Sequence, residues 1–378
     1  MPQYDRNLGS GDARSDIGAT KRVLVTGAGG LAGRYAVAEL SSRGAEVVAT
    51  DIDTEANRKT ARQFAADVDV RYADLTDAVA VGELVEAVRP SAIVHLAAVI
   101  PPACYKNARV SRAVNVGATK SLVSAAEQLR TRPRFLLASS VAVYGSRNPH
   151  RGSDVLTDST PLRAADCYGS QKIDAEAAVR SSSLPWVILR LGAIVSTDLR
   201  AMTFGADQVF MEGVLPADGR LNTVDVRDVA SAFAAATTAD VVGRTLLIGG
   251  DHSHRQIQDE LGPALFAAAG LAGVYPRGRV GNPNDDDEWF VCDWMDTEPA
   301  QQALSFQSHS WRDVLDEMRG RVGLWRYPLE VLVPVLRPVL RPVLARWSPY
   351  HGEPGQFATP WTSIRARWPE SVPDSDSA

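Results

Sequence analysis

Tyr168 and Lys172 stand four residues apart in the stretch CYGSQKIDAE (167–176), which reads as the start of a helix. In a helix, residues i and i+4 share a face, so the phenol and the amine point the same way. A free tyrosine titrates near pH 10, too high for a base at neutral pH. A nearby ammonium stabilises the phenolate and lowers that value. The pair therefore has the parts of a proton-moving device, although by itself it reads more simply as a surface tyrosine and lysine. Just upstream, RFLLASSVAVYG (134–145) reads as a fifth strand carrying Ser139 and Ser140. Ligands of open parallel sheets sit beyond the carboxyl ends of the strands, where two hydroxyls are placed to touch a substrate. Capping of the strand end is the plainer use of such serines.

These groups need a scaffold, and the first ninety residues supply one. RVLVT (22–26) is a short β-branched run, as a buried parallel strand requires. TGAGGLAG follows, with glycines at 27, 29, 30 and 33, then YAVAELSSRG with helical apolar spacing and a C-terminal Gly44. AEVVATD reads as the second strand and ends in Asp51, 24 residues after Gly27. Gly27 permits the tight turn, Gly30 lets the backbone approach a pyrophosphate, and Gly33 lets the helix pack close to the sheet. The helix N-terminus offers free N–H groups and partial positive charge to phosphates. A carboxylate at Asp51 accepts hydrogen bonds from both ribose hydroxyls and repels a 2′-phosphate, which favours NAD over NADP. VRYADLTD (70–77) reads as a third strand, with Asp74 near the adenine end of a dinucleotide or at the N-cap of the next helix. SAIVHLAAV (91–99) reads as a fourth strand, with His95 packed in it and the small Ala97 and Ala98 passing close to a cofactor. Asn115 is polar within an apolar helix; it caps backbone, or holds a kink or a water near the active site.

Bulk composition sets limits. The chain has 378 residues, 45% of them hydrophobic, enough for one large domain or a domain with a lobe and a tail. Forty basic and 45 acidic residues give a formal charge of −5 with no basic block, which argues against a nucleic-acid partner. Cys104, Cys167 and Cys292 lie far apart with no metal spacing, so a metal site is not expected and a reducing, cytoplasmic setting is. Residues 1–20 read as a disordered leader.

Taken together, TGAGGLAG, Asp51, Asp74, HLAA, ASSVAVYG and Tyr168-x-x-x-Lys172 resemble, in order and spacing, the extended short-chain dehydrogenase/reductase superfamily, also called the NAD-dependent epimerase/dehydratase family, from about residue 21 to 250. The resemblance implies Tyr168 as proton donor or acceptor, Lys172 binding the nicotinamide ribose and tuning Tyr168, and Ser140 holding the substrate oxygen. It implies a cofactor site from Gly27, Gly30, Leu31, Gly33, Asp51, Asp74, Leu75, Leu96, Ala97, Ala98, Asn115, Ser139, Tyr168 and Lys172. Tyr144, in the VYG motif, is a structural decoy.

Dehydratases of the family carry an Asp-Glu pair where this chain has Val141 and Ala142, so elimination is disfavoured. Nucleotide-sugar epimerases continue with an asparagine where this chain has Ala193, and they place arginines in the following lobe. Residues 196–224 supply only Arg200 and Arg220, in an otherwise small and apolar stretch, which suits a less charged substrate. The expected reaction is hydride transfer between NAD and a secondary alcohol or ketone. A nucleotide-sugar epimerase is the first alternative and a non-catalytic NAD sensor the second.

The expected architecture is an α/β, Rossmann-type doubly wound parallel sheet. Residues 21–190 form the NAD-binding domain, 191–320 mainly the substrate lobe, with strands returning to the core, and 321–378 a Pro/Arg/Val/Leu-rich extension. Asp228 reads as a helix N-cap, Arg190 as a buried structural partner, and His252-x-His254 and the 285–288 acidic run as solvated loops. Trp289, Phe290 and Trp294 read as packing. Prolines 334, 338 and 342 make a regular helix doubtful in VLVPVLRPVLRPVLARW. That segment packs on its own domain, joins subunits in a homodimer, or touches a membrane peripherally through 321–347. The final PESVPDSDSA reads as disordered.

Overall fold

The β-branched runs become strands because they can be covered on both faces. In the computed structural model, which describes residues 22–152, 154–198, 205–275, 278–346 and 348–373, ten strands form two sheets. They are β1 (Arg22–Thr26), β2 (Glu46–Asp51), β3 (Asp69–Tyr72), β4 (Ala92–His95), β5 (Arg134–Ser140), β6 (Trp186–Leu191), β7 (Ala193–Val195), β8 (Arg220–Asp225), β9 (Arg244–Ile248) and β10 (Arg255–Ile257). The main sheet has the order β3-β2-β1-β4-β5-β6-β9 with every pairing parallel. Helices cover both faces, and the residues of adjacent strands alternate between two apolar cores. Val23, Val25, Val94 and Leu136 face one; Leu24, Ile93, Phe135 and Ile188 face the other. This is the doubly wound Rossmann fold. Strand order reverses between β1 and β4, which opens a crevice at their carboxyl ends.

A smaller three-stranded sheet, β10-β8-β7, follows the last turn out of β6. Trp289 and Trp361 are buried, and Phe290 stacks on Trp361 with centroids 5.4 Å apart. The acidic run is tied down by partners: Asp286 pairs with Arg151, and Glu288 accepts the Trp361 and Thr362 amides.

Several local expectations change. The helix after β8, Val226–Ala236, is capped by Asp225, whose carboxylate accepts the Arg227 amide at 2.8 Å. Asp228 is buried in the first turn instead, where it holds His309 Nδ1 at 2.6 Å. Asp77 caps the helix Ala78–Val88, and the exposed Asp74 accepts the Thr76 amide at 2.9 Å. His254 is buried: its ring bonds the Thr223 hydroxyl at 2.7 Å and the His309 carbonyl at 3.0 Å, so a short loop sequence hides a core histidine. Residues 326–345 form one helix despite Pro334, Pro338 and Pro342. Those prolines are exposed, so water satisfies the carbonyls they orphan. Of the C-terminal residues, 369–373 are ordered: Pro369–Ser371 form a short turn and Glu370 accepts the Ala108 amide at 2.8 Å. The expected leader and Arg200 lie outside the described residues.

One buried ion pair ties the sheet to the helix behind it. Arg190 of β6 is held by both carboxylate oxygens of Glu176, at 2.9 and 2.7 Å, and donates to the Tyr144 hydroxyl at 2.7 Å. Removing Arg190 leaves the buried Glu176 with only the partly exposed Arg180, at 2.8 Å, and Ser139 as partners. Arg190→Met should cost on the order of 3 kcal/mol, read as a lower urea midpoint; an unchanged midpoint would show the pair to be dispensable.

Candidate active site

The helix Cys167–Arg180 begins where an acid precedes a small polar run. Asp166 caps it, accepting the Gly169 amide at 2.8 Å, and the Tyr105 hydroxyl donates to the other carboxylate oxygen. Burial pushes the Asp166 carboxyl up to about 6, against the hydrogen bonds it accepts. Gly169 is required for contact: a Cβ there would sit 2.5 Å from the Ala142 carbonyl. The first turn of the helix is thus pressed onto the 141–144 turn that follows β5.

This contact brings Tyr168 beside Ser140, whose hydroxyl favours the phenolate. Tyr168 is partly buried and packs against an apolar cluster that includes Cys104, Cys167, Phe210 and Val214. Burial raises the phenol well above its usual range, Cys104 and Asp166 add to this, and the Ser140 hydroxyl opposes it. The expectation that Lys172 lowers this value is not met by the chain alone. Its Nζ lies 5.7 Å from the centre of the Tyr168 ring and donates to the Ala138 carbonyl at 2.8 Å. Burial lowers the amine to about 8, with Glu176 opposing. The protein side chains therefore hold Tyr168 as a neutral phenol, a proton donor.

Ser139 does not join this group. Its hydroxyl is buried and bonds Glu176, because successive residues of a strand point to opposite faces. Asn115, in a π-helical turn, brackets Val99 by accepting its amide at 2.8 Å and donating to its carbonyl at 2.9 Å. It also donates to Gln171 at 2.8 Å, so it fixes the chain after β4 against the helix that carries Tyr168.

The glycine turn lies beside it. Gly27 has φ +68°, and a Cβ would fall 2.6 Å from the Ala97 amide, so the turn and the end of β4 are in contact. At Gly33 a Cβ would meet the Gly27 carbonyl at 2.0 Å, whereas at Gly30 only that carbonyl is near, at 3.2 Å. No side chain caps the helix Leu31–Ser42, which leaves its first amides for an anion. Asp51, at the end of β2, accepts the Gly29 amide at 2.9 Å. The set fits a dinucleotide: an uncapped N-terminus for the diphosphate and a carboxylate for the ribose. Leu96, Ala97 and Ala98 follow β4 at the crevice, partly buried. Leu75 differs, with its side chain in the core beside Val48 and Leu84, so only its backbone faces the crevice.

Beyond the helix Ala206–Val214 lies a cavity of about 450 Å³. Phe210 and Val214 of that helix belong to the apolar cluster that Tyr168 packs against, while Val209 and Glu212 line the cavity. Tyr168 and Ser140 do not line it. Leu31, Ile100, Ile194, Leu265 and Phe266 make its wall apolar, and among the described residues no lysine or arginine lines it. Its acids are Glu212, held by Gln208 at 3.3 Å and Gln258 at 3.2 Å, and Asp259, one of whose oxygens is buried without a partner. Burial raises the Glu212 carboxyl above its usual range. Arg220 points elsewhere, to Asp293 and the Gly152 carbonyl.

The sequence matches the NAD dependent epimerase/dehydratase family over residues 23–249. The chain belongs to that family. D-erythronate dehydrogenase of Cupriavidus necator is 33% identical over 111 residues, 29% of this chain and 33% of that protein. UDP-glucose 4-epimerase of Mycoplasma genitalium is 28% identical over 189 residues, 46% of this chain and 53% of that protein. The matched segments thus span between a third and about half of those curated relatives. Among solved structures, UDP-glucose 4-epimerase of Thermus thermophilus in complex with NAD superposes with a TM-score of 0.63 at 23% identity, over 79% of this chain and 99% of that one. A likeness at that identity concerns the fold.

Within this family member, three groups near Tyr168 escaped sequence reasoning. Asp166 was visible as an acid just before a helical run, the usual N-cap signal. Glu176 continues the 168, 172 spacing by another four residues, on the same face. Cys104 left no signal: it meets Cys167 in a side-chain hydrogen bond across 63 residues of sequence.

His95 gives this region a pH dependence. Its ring bonds Thr26 at 2.7 Å and Thr119 at 3.0 Å, and burial, aided by the Lys172 charge, pushes it down to about 3 from 6.5. Only the unfolded chain takes up that proton between those values. The His95 contribution is thus fully present above about pH 6.5 and is lost as pH falls toward 3. His95→Gln should flatten the fall of the urea midpoint between about pH 7 and 4.5; equal slopes in both proteins would contradict this.

Proposed function

We propose that the protein is an NAD-linked oxidoreductase that interconverts a secondary alcohol and a ketone, with Tyr168 as general acid and base. The observation that carries this reading is the Tyr168 phenol beside Ser140 at the carboxyl edge of β5, with the Lys172 amine 5.7 Å from its ring centre. Bound NAD supplies the hydride acceptor, and its reduced form the donor. Ser140 and Tyr168 hold the substrate oxygen between two hydroxyls. In the reductive direction Tyr168 gives its proton to that oxygen, and Lys172, charged below about pH 8, steadies the phenolate left behind. In the oxidative direction the same phenolate takes the proton back. Tyr168 packs against the apolar cluster that includes Phe210 and Val214, and Phe290 packs against the same cluster.

Substrate class follows from charge. A diphosphate in the cavity on the far side of the helix Ala206–Val214, which Tyr168 and Ser140 do not line, would meet Glu212 and Asp259 and no lining cation among the described residues, which disfavours a nucleotide sugar there. An uncharged, largely apolar substrate that donates hydrogen bonds to those acids fits better. The epimerases among the relatives favour a second reading, oxidation and re-reduction of one carbon, in which no net NADH accumulates.

A panel of ketones and secondary alcohols, followed by NADH absorbance, tests the first reading. Turnover should fall roughly 10²- to 10⁴-fold in Tyr168→Phe, with NAD binding retained. Conversion of a UDP-sugar without an absorbance change would overturn it in favour of the second. The cofactor preference rests on Asp51. Titrations should give tighter binding of NAD than of NADP, and Asp51→Ser should narrow the difference by about tenfold or more. Tighter NADP binding to the unaltered protein would reverse the assignment.

A further inference from the structure

The helix Arg326–Ala345 has an outer face that no described residue covers. Val335 is 73% exposed, Val339 64%, Leu332 51%, Val343 42% and Leu336 39%. Their spacing, 332, 335, 336, 339, 343, is that of one helical stripe. Leu324, 82% exposed, and Tyr327, 52% exposed, extend the apolar surface at and beyond its N-terminal end. The inner face is different: Val333 is 4% exposed and Leu344 lines the cavity. The helix is therefore held to the protein on one side and presents a second apolar face to solvent.

Charge accompanies the stripe. Arg337, Arg341 and Arg346 are exposed, and none forms an ion pair among the described residues. No acid occurs between residues 331 and 346. The chain as a whole carries −5, so this patch is cationic against the trend of the molecule.

We propose that this helix docks the protein on an anionic membrane surface, lying in the interface with its valine and leucine stripe among the acyl chains and its arginines at the headgroups. An apolar stripe on one side, with arginines that form no ion pair among the described residues mostly on the other, is the composition of such a helix. No described helix is long and apolar enough to cross a bilayer, so the helix lies on the surface. A second copy of the chain is the competing occupant of the stripe, and the oligomeric state read in the test separates it from a membrane surface. Docking goes beyond the proposed reaction and does not depend on it. Its one link to that reading is Leu344, through which the docked helix would place the cavity wall beside the bilayer.

The test is co-sedimentation of the full chain with vesicles of phosphatidylcholine, alone or with about 30 mol% phosphatidylglycerol. Binding should be roughly tenfold greater on the anionic vesicles and should fall as salt rises. The double substitution Val335→Glu and Val339→Glu should reduce it at least about tenfold, with the far-UV spectrum and NAD binding unchanged. Arg337→Gln with Arg341→Gln should weaken binding to the anionic vesicles alone. Absence of binding to either vesicle, or binding untouched by these substitutions, overturns the proposal. So does a stable dimer that Val335→Glu and Val339→Glu convert to monomer without vesicle binding, which would assign the face to self-association. NADH turnover is read separately, so failure of docking and failure of the reaction are distinguishable.

Discussion

The helix Cys167–Arg180 must lie tightly against the carboxyl end of β5, and the arrangement of the site depends on that contact. Three features enforce it. Asp166 anchors the first turn, Gly169 removes the Cβ that would strike the Ala142 carbonyl, and Glu176 locks the third turn to Arg190 of β6. Tyr168, Lys172 and Glu176 lie along one helical face. Fixing the two ends of that row leaves the middle residue little freedom, and Lys172 is directed onto the Ala138 carbonyl.

Burial has opposite consequences at the two titratable groups of the pair. It favours the uncharged form of each, so it raises the phenol and lowers the amine. The result is a neutral proton donor next to an amine that changes charge near neutral pH. His95 is subject to the same desolvation and stays neutral beneath them, bridging two threonines. The cost of these buried polar groups is offset by complete hydrogen bonding: Ser139, Asn115, Gln171 and Arg190 each have named partners. In the neighbouring cavity one Asp259 oxygen has no partner among the described residues.

The two sheets divide the work between them. The parallel sheet sets the crevice through its strand order, and the glycine turn fits there because Gly27 can touch Ala97. The smaller sheet and the helix Ala206–Val214 shape what can reach Tyr168. That helix contributes to the apolar cluster that Tyr168 packs against and also lines the cavity, so the two share one helix.

Much of the fold was legible in the chain itself, because its signals are local. β-branched runs between glycines and amphipathic helices define parallel strands; the glycine spacing, Asp51 and the Tyr-Lys spacing each report a backbone geometry within a few residues. What the sequence could not carry is any fact that depends on distant residues sharing a space. Ser139 and Ser140 look alike in a string, and only the face of the strand separates the one held by Glu176 from the one beside Tyr168. His254 looked solvated until Thr223 and His309 closed around it. The prolines at 334, 338 and 342 argued against a helix locally, yet tertiary packing of Val333 and Leu344 holds one. The sequence determined the elements and the order of the chemical groups, since these follow from local sterics and periodicity. The tertiary structure alone decided which side chains are buried, which are paired and how their protons are held, since desolvation and hydrogen bonding are set by neighbours that the chain brings from far away.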